Sequence, residues 1–353
     1  MAITDIAGLA HLTEDDVERL HSELEDLRIR VQRSLGAGDA AYIRRTIAAQ
    51  RALEVVARTL IATTRSRRGW AVGTAALALA KIIENMEIGH NVCHGQWDWM
   101  NDPEIHSTSW EWDMVGVSRH WQLSHNFLHH RYTNVVGVDD DLGYGIARVT
   151  PDQDWRPTDL GQPVRAVLLA LLFEWGIALQ GYDAAIAAAA TPRARREVRL
   201  SLLRKATRQS AKDYLVFPLL SRNRWRRTLA ADATANIIRN VWAYLVISCG
   251  HIPGEAAKFD RTVLDDETPG EWYLRQLLGS TDFRAGPVMG FLSGHLSHQV
   301  EHHLFPDAPS NHLAGIKRAV DAICARYGVQ RPTHSLGHQI VESHRPIMVL
   351  ALP

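Results

Sequence analysis

Residues 125–134 read HNFLHHRYTN, and the spacing His, three residues, His-His organises the whole chain. The same spacing recurs as HQVEHH from His298 to His303. A shorter form, HNVCH, runs from His90 to His94. Together these boxes hold eight of the 18 histidines in 353 residues. Neutral imidazole is the commonest side-chain metal ligand. On a helix, the first histidine of each box shares a face with the one four residues on. The adjacent His-His pair splays by about 100° around the axis, so it can reach two neighbouring ions.

The ligand count discriminates between metals. One HxxxH is weak evidence; HxxxHH twice, with HxxxH and an isolated His251 at the end of an apolar run, is strong. Structural zinc takes four ligands and catalytic zinc three. Eight or nine histidines suit two ions with open positions, as in iron-dependent oxygen chemistry. No HExxH is present, so a zinc-protease reading fails. His11, His21, His334, His338 and His344 lie outside the boxes and read as ordinary structural histidines. Thirty-nine basic residues balance 39 acidic ones, so nothing points to nucleic acid as a partner. Cys93, Cys249 and Cys324 lack CxxC spacing and read as reduced thiols. The N-terminal residues carry no secretory signal pattern.

Working outward, residues 13–35 carry an apolar stripe (Val17, Leu20, Leu24, Leu27, Val31, Leu35) at steps of three and four, with Thr13 and Asp16 placed for a capping box. Residues 40–64 repeat the helical pattern. Residues 69–93 are an apolar run broken by Lys81, which snorkels or faces protein, with Glu84 and Glu87 marking an exit to water before His90. Tryptophans 97, 99, 110, 112 and 121 suit a membrane interface. Asp139, Asp140 and Asp141 read as a solvated acidic loop. Residues 164–190 form the longest apolar run. Basic clusters follow at 193–208 and 222–227, with apolar stretches 214–220 and 229–251. Basic loops prefer the cytoplasm, yet a simple up-and-down count puts one basic cluster outside. One resolution is that the run 164–190 lies in the interface or dips in without crossing. Residues 252–284 read as polar and irregular.

HNVCHGQWDWMNDP, HNFLHHRYTN and HQVEHHLFP resemble the three histidine boxes of the membrane-bound fatty-acid desaturases. The longer stretches at 85–113 and 297–311 resemble the actinobacterial acyl-CoA desaturase branch. The likeness runs from about residue 40 to about residue 330. It implies an all-α fold: multi-pass membrane helices under a cytoplasmic helical cap that carries a di-iron site. The corresponding division is an N-terminal amphipathic helix (1–40), a membrane desaturase domain (41–330) and a C-terminal tail (331–353). It also implies an enzyme in the cell membrane, active on the cytoplasmic side, that uses dioxygen and two electrons to desaturate a long acyl chain on CoA or a lipid. With no nucleotide or haem motif, the electrons come from a separate donor such as a ferredoxin or flavin reductase. Carried over residue by residue, the iron ligands are His90, His94, His125, His129, His130, His251, His302 and His303. The ninth is His298, by the repeat of the box-two spacing, with Gln299 and His295 as the competing positions. Glu87, Asn91, Asp98, Asn126 and Glu301 are candidates to orient the imidazoles. The competing functions are a di-iron hydroxylase of an alkane, sterol or carotenoid, and a membrane metal transporter.

Overall fold

The computed structural model describes residues 3, 6 and 8–353. The chain is predominantly helical, and the described residues also hold one two-stranded parallel sheet, Asp282–Arg284 beside Thr333–Ser335, so the expected all-α class gains a small β element. It divides into two compact units. One comprises Met1–Asp39, His125–Ala166 and Val246–Pro353; the other comprises Ala40–Ser124 and Val167–Leu245.

In the first unit, helix Glu14–Ser34 starts at a complete capping box: Asp16 N donates to the Thr13 hydroxyl, and Thr13 N donates to the Asp16 carboxylate. Its stripe Val17, Leu20, Leu24 and Leu27 is buried. It packs against Leu274 and Leu277 of helix Pro269–Gly279 and against Ile316 and Val320 of helix Leu313–Arg326. Pro269–Gly279 corrects the irregular reading of 252–284. Its signals stand in the sequence: Thr268 at the cap, Pro269 at the first helical position and Glu271 closing a capping box. Gly270 lets this helix approach closely, since a Cβ there would lie 2.6 Å from Val17 Cγ1.

The same core orients box three. Helix Gln299–Leu304 turns Val300 and Leu304, four residues apart, into the apolar cluster, which leaves Gln299, His302 and His303 for the opposite side. A buried ionic hub fixes the helix start. Asp282 accepts from Val300 N at 3.0 Å and pairs with Lys317 at 2.7 Å and Arg331 at 3.1 Å, and Arg331 also pairs with Glu301. Burial alone would raise the Asp282 carboxyl, but Arg331 and Lys317 outweigh it and hold it below the usual range. Arg331→Met strands two buried carboxylates on one lysine. Removing one partner of a buried pair costs roughly 3–5 kcal/mol. Denaturant unfolding should report a loss of that size, and a change near zero would show that the hub contributes nothing.

The second unit buries charge in place of a continuous apolar span. Lys81 faces protein: it lies 3.1 Å from Asp113 and 2.9 Å from Asp213. Arg58 pairs with Glu54, Asp213 and Asp232, and Arg239 with Glu174 at 2.8 Å. Glu84 and Glu87, expected at an exit to water, are both buried. Glu84 accepts from Asp113 N and Glu87 from the Tyr42 hydroxyl at 2.6 Å, each through one carboxylate oxygen.

Among the described residues no single helix is long and apolar enough to cross a membrane. Pro157–Leu171 and Phe173–Ala188 have the length and composition together but are bent by 100°. Gly176 leaves room at that bend, since a Cβ there would lie 2.3 Å from Leu169 Cδ1.

Candidate metal centre

Boxes one and two do not sit in plain α-helix. Helix Arg67–Ile82 runs on into a π-helical stretch, Ile83–His90, and box two into another, Leu123–His129. Widened turns of this kind recur at functional sites, because they re-aim side chains without breaking the helix. The expected pairing survives: the His125 and His129 rings lie 4.8 Å apart, and the His90 and His94 rings 4.5 Å.

Box two is braced by the acidic loop. His129 Nδ1 is 2.9 Å from both carboxylate oxygens of Asp139, and His125 Nδ1 is 2.6 Å from Asp141. Asp139 is held in turn by Asn134 N at 2.8 Å and Asp141 N at 3.0 Å. Asp139 and Asp141 are buried, which overturns their reading as a solvated loop. The physical reason is that each carboxylate finds a buried N–H donor in box two, so burial leaves neither unpaired.

These carboxylates set the electrostatics. Burial alone would push the His129 imidazole down, but Asp139 and then Asp141 outweigh it and raise it to about 9. For Asp141, burial pushes up, yet His129 and His125 hold it below the usual carboxylate range. Burial holds His125 below its ordinary value against the pull of Asp141. His130 and His303 are held well below theirs, first by burial and then by neighbouring histidines. His125, His130 and His303 are thus held neutral, while His129 carries the charge that faces the buried carboxylates.

His129, His251 and His303 converge, each offering a ring nitrogen within 4.8 Å of the others. Their rings are 4.5 to 5.0 Å apart in edge-on pairs. Each has its Nδ1 beside an acceptor: Asp139 for His129, Gln276 Oε1 at 3.2 Å for His303, and Gly279 O at 3.4 Å for His251. That assigns the proton to Nδ1 and turns the Nε2 lone pairs inward, the tautomer a metal requires. His129 Nε2 is buried with no hydrogen-bond partner. His303 Nε2 and His251 Nε2 lie 3.0 Å apart, so a cation beside them would offset the repulsion of two lone pairs. The residues present therefore fit a bound metal ion. His130 stacks on His303 at 4.2 Å and meets His302 edge-on at 4.9 Å. A cleft of about 780 Å³ has His130 in its wall, with Phe127, Arg131 and Trp272.

Box one has its own support. His90 Nδ1 is 3.0 Å from Asn91 Oδ1, and Asn91 donates to Glu87 O at 3.0 Å. Trp121 meets both His90 and His94 edge-on.

Residues 68–335 match the fatty acid desaturase family. The whole chain also aligns, at 52% identity, with 84% of the NADPH-dependent stearoyl-CoA 9-desaturase of Mycobacterium tuberculosis. The chain belongs to the fatty acid desaturase family. More distant relatives include the sn-1 linoleoyl-lipid 6-desaturase of Arthrospira platensis, 24% identical over 74% of this chain and 73% of that protein. The Delta(5) fatty acid desaturase A of Dictyostelium discoideum is 26% identical over 71% of this chain and 57% of that protein. This desaturase is thus an oxidoreductase of lipid metabolism that acts on fatty-acyl chains.

Of the five expected orienting residues, Asn91 touches a box histidine. Glu87 takes the Tyr42 hydroxyl, Asp98 ties Ser107 at 2.6 Å, Glu301 joins Arg331, and Asn126 lines the cleft. Asp139, Asp141 and Gln276 hold ring nitrogens and were not among those five. The signal for two of them was available, as VDDDL follows box two within a dozen residues.

Box three departs from the helical reading at its first residue. The helix begins at Gln299; His298 lies outside it with φ −113° and ψ 55°. Spacing along a helix therefore does not carry His298 to the face of His302 and His303. His298 lies instead with Asp282 and Glu301. His295 has a left-handed backbone, φ 58°, and bonds through its N–H to Gly290 O. Gln299 Nε2 is 2.9 Å from His251 Nε2. Gly250 makes that approach possible, since a Cβ there would lie 2.7 Å from Gln299 Cγ. Gln299→Ala is expected to lower metal content and turnover, and Gln299→His to restore both, while His298→Ala leaves metal content near wild type. Metal counted per chain in the three variants checks this; loss in H298A alone would reverse the assignment.

Proposed function

We propose that this chain inserts a double bond at position 9 of a long-chain acyl-CoA, using two iron ions, dioxygen and two electrons. The observation that carries the iron is the buried convergence of His129, His251 and His303, with their Nδ1 edges beside acceptors and their Nε2 edges turned inward. The substrate and the position are supported by the 52% identity to a stearoyl-CoA 9-desaturase. We assign as ligands His90 and His94, then His125, His129 and His130, then His251, His302 and His303, with Gln299 favoured over His298 for the ninth place because its side chain reaches His251 and its buried Oε1 has no hydrogen-bond partner.

Iron in such a donor set supplies the oxygen chemistry needed to take hydrogen from an unactivated chain. The protein supplies placement. Asp139 and Asp141 hold the rings of His129 and His125 in one tautomer and offset the charge of bound cations. Gln276 holds the ring of His303 in the same tautomer through its side-chain oxygen. Thr133 fixes that oxygen by donating to it at 2.8 Å.

The electrons come from a separate donor, a ferredoxin or flavin reductase that draws on NADPH, as the name of the mycobacterial relative suggests. Contact with membrane lipid is supported by exposed apolar side chains at Val164, Leu168, Leu172 and Leu179, and again at Leu215, Leu219 and Leu220. We place the protein in the cell membrane as a multi-pass chain with its site on the cytoplasmic side, the side that basic clusters prefer and where they suit anionic headgroups.

The test is product analysis. Membranes carrying the chain, a reductase system, NADPH and stearoyl-CoA should yield an alkene lacking two hydrogens, identified by mass spectrometry. An alcohol carrying oxygen from dioxygen as the main product would refute desaturation.

A further inference from the structure

We propose that Glu255, His334 and His338 form a second metal site, apart from the histidine boxes, for a divalent transition ion such as zinc. His334 Nε2 lies 2.8 Å from Glu255 Oε1, and His338 Nε2 lies 3.8 Å from the same oxygen. The three ligand atoms all lie within 4.8 Å of one another, and the two imidazole rings stack at 4.3 Å. Two imidazoles with one carboxylate select zinc and its neighbours over calcium or magnesium, which prefer oxygen throughout. The three side chains are 30%, 35% and 43% exposed, so an ion reaches them from solvent and water completes its shell.

Each ligand comes from a different element, and each element is anchored. His334 sits in the strand Thr333–Ser335, in register with Phe283. His338 sits in the first turn of helix Leu336–Val349, where its N–H donates to the Ser335 hydroxyl. Glu255 lies four residues beyond His251, in a turn that Lys258 gathers by donating to the carbonyls of Ile252, Pro253 and Ala256. Helix Leu336–Val349 also reaches back to that region, since the Ser343 hydroxyl donates to Ser248 O at 3.3 Å. An ion at this site clamps the turn after His251 to the C-terminal segment. It stiffens the helix end that presents His251 without ligating any box residue. Read from sequence alone, His334 and His338 are ordinary structural histidines; a strand register and a distant glutamate bring them together.

The full-length wild type, the H334A/H338A double variant and E255Q are equilibrated with zinc at one buffered free concentration, freed of unbound ion and analysed for metal per chain. Metal held by the boxes cancels in the comparison. The wild type is expected to carry one zinc more than the double variant. E255Q, which keeps the shape of the side chain, should lose that additional zinc while its melting temperature without zinc stays unchanged. Zinc should raise the melting temperature of the wild type further than that of the double variant. Equal zinc content in wild type and double variant overturns the proposal.

Discussion

His129→Ala is expected to remove desaturation altogether and to strip metal from the protein in the same step. His129 joins the two halves of the nest: its Nδ1 takes Asp139, while its ring meets both His251 and His303. Alanine removes a proposed ligand and also leaves Asp139 buried at 3% exposure without that partner. Breaking a buried charged pair by deleting one partner costs roughly 3–5 kcal/mol. The variant should therefore also unfold earlier, and metal analysis of its folded fraction separates the two effects. Folded H129A that keeps full metal content and turnover would show that the nest is not the metal site.

Asp139→Asn should have the second-largest effect, at nearly unchanged shape. Loss of an orienting partner behind a metal-bound histidine typically costs about 10–100-fold in affinity or activity, and the same range is expected here for metal retention and turnover. The pH dependence gives a second readout. In the metal-free protein, Asp139 and Asp141 raise His129 to about 9, above the ordinary histidine value of 6.5. A group raised on folding contributes stability that is fully present below its unfolded value and is lost as pH rises through its folded value. Metal-free wild type should thus lose stability between about pH 6.5 and pH 9, and metal uptake below pH 9 should release a proton. D139N should flatten that slope. An unchanged slope would mean that Asp139 does not set the charge of His129.

The histidines of the boxes are legible in the sequence because their spacing is local and repeated. Helix Glu14–Ser34 is legible for the same reason, as its stripe and its cap lie within one element. What escapes is whatever depends on distant partners. Lys81 finds Asp113 and Asp213, 32 and 132 residues away, and no local pattern predicts that pairing. Asp139 and Asp141 look like a wet acidic loop until box two folds over them. The start of box three is set by the burial of Val300 and Leu304 and by the hub at Asp282, so the helix begins at Gln299 and the repeat that favoured His298 stops one residue short. Gln276, which holds His303, stands 27 residues from it on a helix that a capping box and Pro269 announce.

The most direct test of the central claim is to count metal in protein that is turning over. Purified, active chain, assayed in the same preparation for conversion of stearoyl-CoA, should contain two irons per chain, and depleting and restoring iron should abolish and restore the product in proportion. Full activity in protein whose boxes hold zinc alone would contradict the account.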